Sequence, residues 1–294
     1  MLALPGLYRT VASSLSIARE TSLDAATLAY LESLVQRAWF VVYGPRSSLW
    51  AWTRNFLGGG WSAAVRGIGL DVMIALVVMV AGAVVGWLLV ASDTEWYHAL
   101  VPSQFLDTRV PGASREILAK TLEGAADGSG LSMFAAYLFS NNAQVSILAF
   151  ALGFAFGIPS LLLMVHNTAS LGAMLWLFHE GGLTLEFVAW LSVHGTTELF
   201  AILLAGAAGL HVGRSMAFPG ERSVLQAAAE AGQRSAQVMA GVVLMLVVAG
   251  VLEGFARQLV DDMPGRFAIG GFMLALWLAY FYGLRRAEKG EPQP

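Results

Sequence analysis

Cysteine is absent from this 294-residue chain, and its absence excludes several kinds of chemistry. Without a thiol the chain has no disulfide, no thiolate nucleophile and no thiolate ligand for a metal ion. It also lacks a Walker motif, a nucleophile elbow and a dinucleotide fingerprint. Enzymatic activity is therefore uncertain and less well supported than a non-enzymatic role, and no cofactor is predicted.

Charged residues are also scarce, at 13% of the chain against roughly 25% in a soluble domain. Hydrophobic residues make up 57%, so most of the chain is expected to lie in a lipid bilayer, its first predicted partner. The net charge of −3 gives no basic field for nucleic acid, which is not expected as a partner. The N-terminal sequence MLALPGLYRTVASS does not read as a cleavable signal peptide, so we expect the first membrane helix to act as the targeting signal.

Six apolar runs predict an all-α fold, a polytopic membrane bundle of about six transmembrane helices. They cover residues 68–91, about 143–165, 166–180, 185–212, about 236–256 and about 267–284. Pro159 is expected to kink the second run. The third run is short for a crossing at roughly 1.5 Å per residue, so it is either a thin transmembrane helix or a re-entrant one.

The bundle is therefore assigned to residues 68–285, with a cytoplasmic tail at 286–294. Between the first two runs lies a polar stretch, 92–140, which is predicted to be an external loop with one short helix in ASREILAKTLEG. Residues 1–67 are predicted to be a separate N-terminal helical region, cytoplasmic or interfacial, because they carry six arginines and no long apolar run.

Two stretches of this N-terminal region have a readable pattern. Apolar residues in SLDAATLAYLESLVQRAWFVVYG recur at helical spacing, which predicts an amphipathic helix that begins at Ser22 or Asp24 and ends at a Gly-Pro pair. Farther on, tryptophans alternate with arginine and glycine over 47–66. This segment either lies along the membrane surface, with the rings of Trp50 and Trp61 at headgroup depth, or packs as a soluble helix on its neighbour.

Basic residues orient the predicted helices. Six arginines precede the first span, three lie between the fourth and fifth spans, and Arg285, Arg286 and Lys289 follow the sixth. Because arginine and lysine favour the cytoplasmic side, both termini are predicted to be cytoplasmic. This orientation requires 166–180 to cross the membrane.

Ionisable residues at membrane depth are costly and are candidates for function by default. His194 and Glu198 lie four residues apart, so they share one helix face. Helix directions and a rise of roughly 1.5 Å per residue place them, Glu253 and the amides near Asn142 in the outer half of the bundle. We therefore predict a polar intramembrane site of Asn142, His194, Gly195, Glu198 and Glu253.

The chemistry of this site stays open at the level of sequence. His194 and Glu198 are the candidate ligands if a divalent metal ion binds. A metalloprotease is disfavoured, because HGTTE has Gly195 where HExxH has its general-base glutamate, and no second histidine follows. A proton or cation relay fits the residue types better. Equally, the pair is expected under a purely structural reading, in which its side chains fix helix packing.

Small residues are frequent in the predicted spans. Gly153 and Gly157 lie four apart, and Gly206 and Gly209 lie among alanines. Such residues let helices approach closely, either within one bundle or between two copies, so a two-fold homodimer is an expectation. Asn167 and Gly172 form a secondary motif that is expected to shape the start of a helix.

Several stretches together resemble the stage II sporulation protein M family of bacterial membrane proteins. They occur in the family's order over nearly the whole chain: LYRTVASSLSIARE…YLESLVQRAWFVVYG, FSNNAQVSILAFALGFAFGI, NTASLG, HGTTELFAILLAGAAGLHVG and VLEGFARQ. One departure is Thr168, since the family usually has glycine after this asparagine. The resemblance implies that the family's polar motif positions are Asn142, Asn167, His194, Gly195, Glu198 and Glu253.

The resemblance implies a bacterial cytoplasmic-membrane protein and suggests partners. The sporulation member is similar to a scaffold that gathers cell-wall-degrading proteins, and other relatives look like parts of gene sets with a MoxR-type ATPase and von Willebrand A-domain proteins. The first hypothesis is therefore a scaffold or assembly factor for membrane or envelope proteins. The alternative is a transporter or channel for a small solute, ion or lipid that uses the polar site, and the third is an intramembrane enzyme.

Overall fold

The computed structural model describes residues 4–21, 24–43, 48–103, 106, 108–122, 129–256 and 259–283. Helices account for all the regular secondary structure of these residues. Internal contacts divide the chain into two units, Met1–Asn55 and Phe56–Pro294, and each is described by itself.

The first unit contains three helices, α1 (Leu4–Glu20), α2 (Ala25–Tyr43) and α3 (Leu49–Asn55). The predicted amphipathic helix is α2. Asp24 caps it, because its carboxylate accepts hydrogen bonds at 3.0 Å from the backbone N–H groups of Ala26 and Thr27.

Helices α1 and α2 pack on each other and leave much apolar surface uncovered within the unit. Leu15 and Ala18 are buried. An exposed ion pair, Arg19 to Glu32 at 2.7 Å, joins the two helices and contributes about 0–1 kcal/mol at most. Large apolar side chains remain exposed elsewhere on the two helices, with Ile17 61% and Phe40 66% accessible.

The second unit begins with a π-helical turn, Phe56–Gly60, and a short helix, α4 (Trp61–Gly67). The indole of Trp61 is only 1% exposed. It stacks on Phe56 and meets Trp277 edge-on, with ring centroids 5.4 and 5.8 Å apart. The prediction of headgroup depth is therefore wrong for Trp61. The ring is accepted into the bundle because Gly241, which faces it, has no side chain.

Six helices then run through the second unit, and two short ones lie outside them. The bounds are α5 (Gly69–Ser92), α6 (Glu95–Leu100), α7 (Arg115–Lys120), α8 (Ser129–Ala151), α9 (Ile158–Glu180), α10 (Thr184–Ala217), α11 (Val224–Val251) and α12 (Met263–Leu278). Helices α11 and α12 continue into π-helical turns, Leu252–Ala256 and Ala279–Gly283. In the described residues, α5, α9, α10 and the extended α11 and α12 are long and apolar enough to cross a membrane. The all-α polytopic bundle predicted from the sequence is confirmed.

Helix α10 is the centre of this bundle, and most of its side chains are buried. Asp71 at the start of α5 contacts Arg214 at the end of α10, so these two helices are antiparallel. Helix α12 runs parallel to α10, since Ser192 bonds to the carbonyl of Arg266 and Thr197 to the indole of Trp277. The start of α5 and the end of α12 therefore lie at the same end of the bundle.

Between α8 and α9 the structure departs from the predicted spans. The chain reverses direction after Ala151, through a 3₁₀ turn at Leu152–Phe154 and two residues with positive φ, Phe156 at 59° and Gly157 at 82°. Pro159 then lies in the first turn of α9, where its missing N–H costs nothing, and does not kink a helix. The predicted division into 143–165 and 166–180 is wrong: 166–180 is the second half of the single helix α9.

The segment predicted as an external loop is largely folded. The described residues between 93 and 122 cover one end of the bundle and are here called the cap. Its buried side chains Tyr97 and Leu118 belong to the same apolar cluster as Phe178 and Phe187 of α9 and α10. The short helix predicted in this segment is α7, capped by Ser114. Helix α8 begins at Ser129, well inside the stretch 92–140.

The glycines singled out in the sequence are used inside this unit. A Cβ added to Gly153 would collide with the backbone of Gly209, and one added to Gly213 would collide with the backbone of Gly157. Helices α8 and α10 therefore approach each other backbone to backbone at these positions. These glycines allow close packing within one bundle. They therefore give no separate reason to expect a homodimer, which stays a prediction.

Candidate functional site

His194 and Glu198 lie on one face of α10, near the middle of a 34-residue helix. Both are buried, with 1% and 4% of their surfaces exposed. No proline interrupts α10, so the helix holds the two side chains at a fixed spacing. Neither residue faces lipid.

Asn142 of α8 is the direct partner of Glu198. Its side-chain amide donates a hydrogen bond of 2.5 Å to the carboxylate oxygen Oε2. The other oxygen, Oε1, is buried and accepts no hydrogen bond from any residue that the structure describes. A buried polar atom of this kind marks a place where water or a ligand group is expected.

Glu253 brings a second carboxyl group to the same region. It is 2% exposed and lies in the π-helical turn that ends α11. Its carboxyl group is close enough to that of Glu198 for the two to interact electrostatically. Single π turns inside helices are rare and frequently occur at functional sites. The structure thus brings Asn142, Glu198 and Glu253 together from three helices.

His194 packs against an aromatic side chain one turn earlier on α10. The rings of Trp190 and His194 are perpendicular, with centroids 5.4 Å apart. Gly195 follows His194 in the helix. A Cβ added at Gly195 would press on the side chain of Leu191. A larger residue at this position would reduce the room beside the imidazole.

These residues surround a cavity of about 140 Å³ between α8, α9, α10 and the cap. Asn142, Asn167, His194, Gly195 and Glu198 all line it, as do residues that the sequence did not single out, among them Arg109, Ser170 and Trp190. Glu253 is not among the lining residues. Among the residues predicted from the sequence, the cavity therefore has one carboxyl, one imidazole and two amide groups on its wall.

Gly172 has a different role from the one predicted. It lies in the middle of α9 and does not shape a helix start, because that helix begins at Ile158. An added Cβ would collide with the carbonyl oxygen of Ala83 on α5. Gly172 therefore allows α5 and α9 to pack closely, away from the cavity.

Arg109 is the charged residue of the cavity wall that sequence reasoning missed. It belongs to the cap, yet it is only 5% exposed. Its guanidinium lies over the ring of Trp190 at 5.2 Å and that of Phe178 at 6.0 Å, and it donates a hydrogen bond of 2.9 Å to the carbonyl of Thr121. In the sequence it is one of several basic residues in a presumed loop. No pattern distinguishes it, because its burial depends on the fold of the cap.

The cap is fastened to the bundle beside this arginine. Ser170 of α9 donates a hydrogen bond of 2.5 Å to the carbonyl of Leu100. Tyr97 of the cap is fully buried, and this burial raises the pKa of its phenol well above the usual value, against the opposing effect of Arg109. The part of the cavity wall that the cap supplies therefore belongs to folded structure.

A metal site of ordinary composition is not formed here. In the described part of the chain, no group of three or more histidine, aspartate or glutamate side chains is placed to hold a metal ion. His194 and Glu198 remain two potential ligands on one helix face, and the described residues place no third histidine, aspartate or glutamate beside them to hold a metal ion.

A second polar cluster occupies the opposite end of the bundle. Asp71 of α5 is fully buried. Its carboxylate accepts hydrogen bonds from Arg214 at 2.7 and 3.0 Å and lies 2.8 Å from the Nδ1 atom of His211. The sequence analysis did not single out Asp71, because it lies in the first turn of a clear apolar span. The cluster locks α5 to the end of α10, outside the cavity.

Comparison with known proteins gives matches to two family models. The model described as stage II sporulation protein M matches residues 75–256, and that of a domain of unknown function (DUF8413) matches residues 1–44. No curated protein and no solved structure matches the chain. The first match contains α8 to α11 and all the cavity residues named above.

Proposed function

Since the chain belongs to the stage II sporulation protein M family of multi-pass membrane proteins, we propose that it binds a small polar or amphiphilic ligand in the cavity beside Glu198, as a transporter or channel does. The observation that carries this proposal is Glu198, which lines the cavity and whose buried oxygen Oε1 has no hydrogen-bond donor in the described chain. A group of this kind is unfavourable unless water or a ligand completes its hydrogen bonding.

The arrangement supports a ligand site over a simple packing contact between helices. A pair that served packing alone would be enclosed by other side chains and satisfied by them. Here the carboxyl group of Glu198, the imidazole of His194 and the amide of Asn167 line one space, and a buried arginine lies at its mouth. Ligand sites in proteins have this composition, a largely apolar wall with a few polar groups that converge on one volume.

The proposed location is the cytoplasmic membrane of a bacterium, with both termini in the cytoplasm. The end of the bundle opposite the cap carries Arg66, Arg214, Arg222 and Arg234, a basic excess typical of the cytoplasmic side. Under this orientation the cap and the mouth of the cavity face outward. The ligand would then enter from the outer side or from the outer leaflet.

Cysteine labelling tests this function, and the chain offers a cysteine-free background. Ser170 lines the cavity, whereas Ser146 of α8 is buried away from it. Both substitutions, Ser170→Cys and Ser146→Cys, replace a hydroxyl by a thiol of similar size. We expect a small hydrophilic methanethiosulfonate reagent to modify Ser170→Cys at least about tenfold faster than Ser146→Cys, because thiolates react only where water reaches them.

The difference between the two modification rates tests whether water reaches the cavity. Equal and slow modification of the two variants, with an exposed cysteine at Asp261 reacting normally, would contradict a water-accessible ligand site. Protection of Ser170→Cys by an added solute would further identify that solute as a ligand.

A scaffold or assembly role is the second candidate, and it is favoured by the first unit. Helices α1 and α2 expose large apolar side chains within that unit, including Leu7, Ile17 and Phe40, as a docking surface does. Membrane or envelope proteins, such as a MoxR-type ATPase system with von Willebrand A-domain proteins, are the proposed partners. Unreactive Ser170→Cys in the labelling experiment would leave this role as the better proposal.

A further inference from the structure

An apolar groove of about 540 Å³ runs along the bundle between α5, α9, α10 and α12. Its volume is within the range of about 300–1,000 Å³ that is usual for ligand pockets. Side chains along it are partly exposed on the outside of the bundle, with Val80 of α5 57% and Leu278 of α12 44% accessible. In a membrane, this side of the groove faces the acyl chains of lipids.

The groove adjoins the polar cavity directly. Leu171 of α9 and Leu199 of α10 line both spaces, so the two share a wall made of these side chains. Glu198 precedes Leu199 in the chain and faces the cavity. A polar space and an apolar space that meet in this way suit a molecule with one polar end and one apolar chain.

The wall of the polar space has a guanidinium and a carboxyl group. Arg109 supplies a buried guanidinium on the side of the cap, and Glu198 supplies a carboxyl group from α10. A guanidinium recognises phosphate well, because its N–H groups form paired hydrogen bonds with two oxygens. The oxygen Oε1 of Glu198 has no hydrogen-bond donor in the described chain, and a carboxylate oxygen can accept a hydrogen bond from an ammonium group.

The order of the two spaces matches the order of a lipid in a leaflet. The cavity lies beneath the cap, and the groove extends away from it to Val72, near Asp71 at the opposite end of α5. A lipid of the leaflet on the cap side has its headgroup at that surface and its chains pointing toward the membrane centre. The headgroup of the lipid would therefore lie in the cavity and its acyl chain in the groove.

We propose that cavity and groove together form a site for a zwitterionic phospholipid of the phosphatidylethanolamine type. Its phosphate pairs with Arg109, its ammonium group with Glu198, and one acyl chain lies in the groove past Leu171 and Leu199. The inference rests on the proposed function, because it names the ligand class of the same cavity.

Native mass spectrometry of the full chain in mild detergent tests this assignment. The delipidated protein is mixed with equal amounts of phosphatidylethanolamine and phosphatidylglycerol of matched acyl chains, and the lipid that remains bound is counted. We expect phosphatidylethanolamine to be retained about tenfold more, because only its headgroup offers both charges to the pair Arg109 and Glu198. Glu198→Gln should abolish this preference.

A matched pair of substitutions tests the groove. Val80→Trp fills it from α5, whereas Val85→Trp places the same side chain on another face of the same helix, 46% exposed and outside the groove. Val80→Trp should reduce phosphatidylethanolamine retention about tenfold, and Val85→Trp should leave it unchanged. Equal effects of the two variants would overturn the groove as the acyl site.

The outcomes separate this inference from the function on which it rests. Equal retention of the two lipids, with rapid labelling of Ser170→Cys, would overturn the lipid and leave a site for a soluble ligand. A preference for phosphatidylglycerol that is lost in Arg109→Gln would overturn the zwitterion in favour of an anionic headgroup. No retention and no labelling would overturn both proposals.

Discussion

At the scale of residues, the hydrogen bond between Asn142 and Glu198 is the best-defined contact of the candidate site. It joins α8 to α10 at 2.5 Å in a buried setting, where the loss of a donor is costly. The same bond uses Oε2, so the other oxygen, Oε1, is the one left without a hydrogen-bond donor in the described chain.

Asn142→Ala is expected to lower the free energy of unfolding by about 1–3 kcal/mol, because a buried carboxyl group then loses its donor. In a Glu198→Gln background the same substitution should cost less, since a neutral amide needs the donor less. Thermal unfolding in detergent measures both. Asn141→Ala, at the neighbouring cavity position, is the control and should cost less than Asn142→Ala. An equal cost of Asn142→Ala in the two backgrounds would show that Asn142 does not act through Glu198.

Sequence reasoning found the members of this site that have an unusual residue type for their setting. His194, Glu198 and Glu253 stand out because each is ionisable within an apolar run, and the structure brings Glu198 and Glu253 together with Asn142. Arg109 and Asp71 were missed for the opposite reason. A basic residue in a polar segment and an acidic residue at the edge of a span are ordinary in sequence, and their burial follows only from the tertiary fold.

At the scale of elements, close approach between helices depends on a few glycines. Gly153, in the 3₁₀ turn that follows α8, faces the backbone of Gly209 on α10, and Gly86 of α5 faces that of Ala169 on α9. Helices that touch at their backbones gain packing contacts that lipid cannot replace. The position of α8, and with it that of Asn142, therefore depends on the contact at Gly153.

Gly153→Ala should destabilise the protein by about 1–3 kcal/mol, because the added methyl group overlaps the backbone of α10. Gly271→Ala in α12 is the matched control. Nothing lies within 4 Å of an added Cβ there, so alanine should be neutral or stabilise the helix by up to about 1 kcal/mol. Unfolding temperatures of the two variants in the same detergent provide the measurement. A Gly153→Ala protein as stable as Gly271→Ala would contradict the tight contact.

Helix boundaries were predictable only where the chain itself marks them. Asp24 marks the start of α2, and Ser114 marks the start of α7. The Gly-Pro pair that was predicted to end α2 lies outside the described residues. The reversal between α8 and α9 was missed because the run from 143 to 165 has no charged residue that would interrupt a span. Only the positive φ angle at Phe156 and Gly157 reveals that Pro159 begins a helix there and does not bend one.

At the scale of the whole molecule, the bundle has two chemically different ends. Ser92 and Asp261 lie at the end covered by the cap, and Ser223, which caps α11, lies at the other. In the proposed orientation, which rests on the arginines near Ser223, that end lies in the cytoplasm.

Single cysteines at these positions test the orientation in intact cells. Ser92→Cys and Asp261→Cys should react with an impermeant thiol reagent, and Ser223→Cys should react only after the membrane is opened. The reverse pattern would invert the orientation and place the end that carries Ser223 outside the cell. Reaction of all three in intact cells would contradict the crossing of α10 and α11 themselves.

Helix α8 differs from its neighbours in one respect that bears on how the protein is made. It runs the length of the bundle but is not among the helices apolar enough to cross a membrane alone, because Asn141, Asn142 and Gln144 lie in its middle. The insertion machinery is therefore not expected to transfer α8 into the lipid bilayer on its own when α8 is first synthesised. A tight turn follows, and Ser160 of α9 bonds back to the carbonyl of Ala149. We expect α8 to enter the bilayer as one arm of a hairpin with α9. It becomes stable there only after α10 has inserted and Glu198 accepts the hydrogen bond from Asn142.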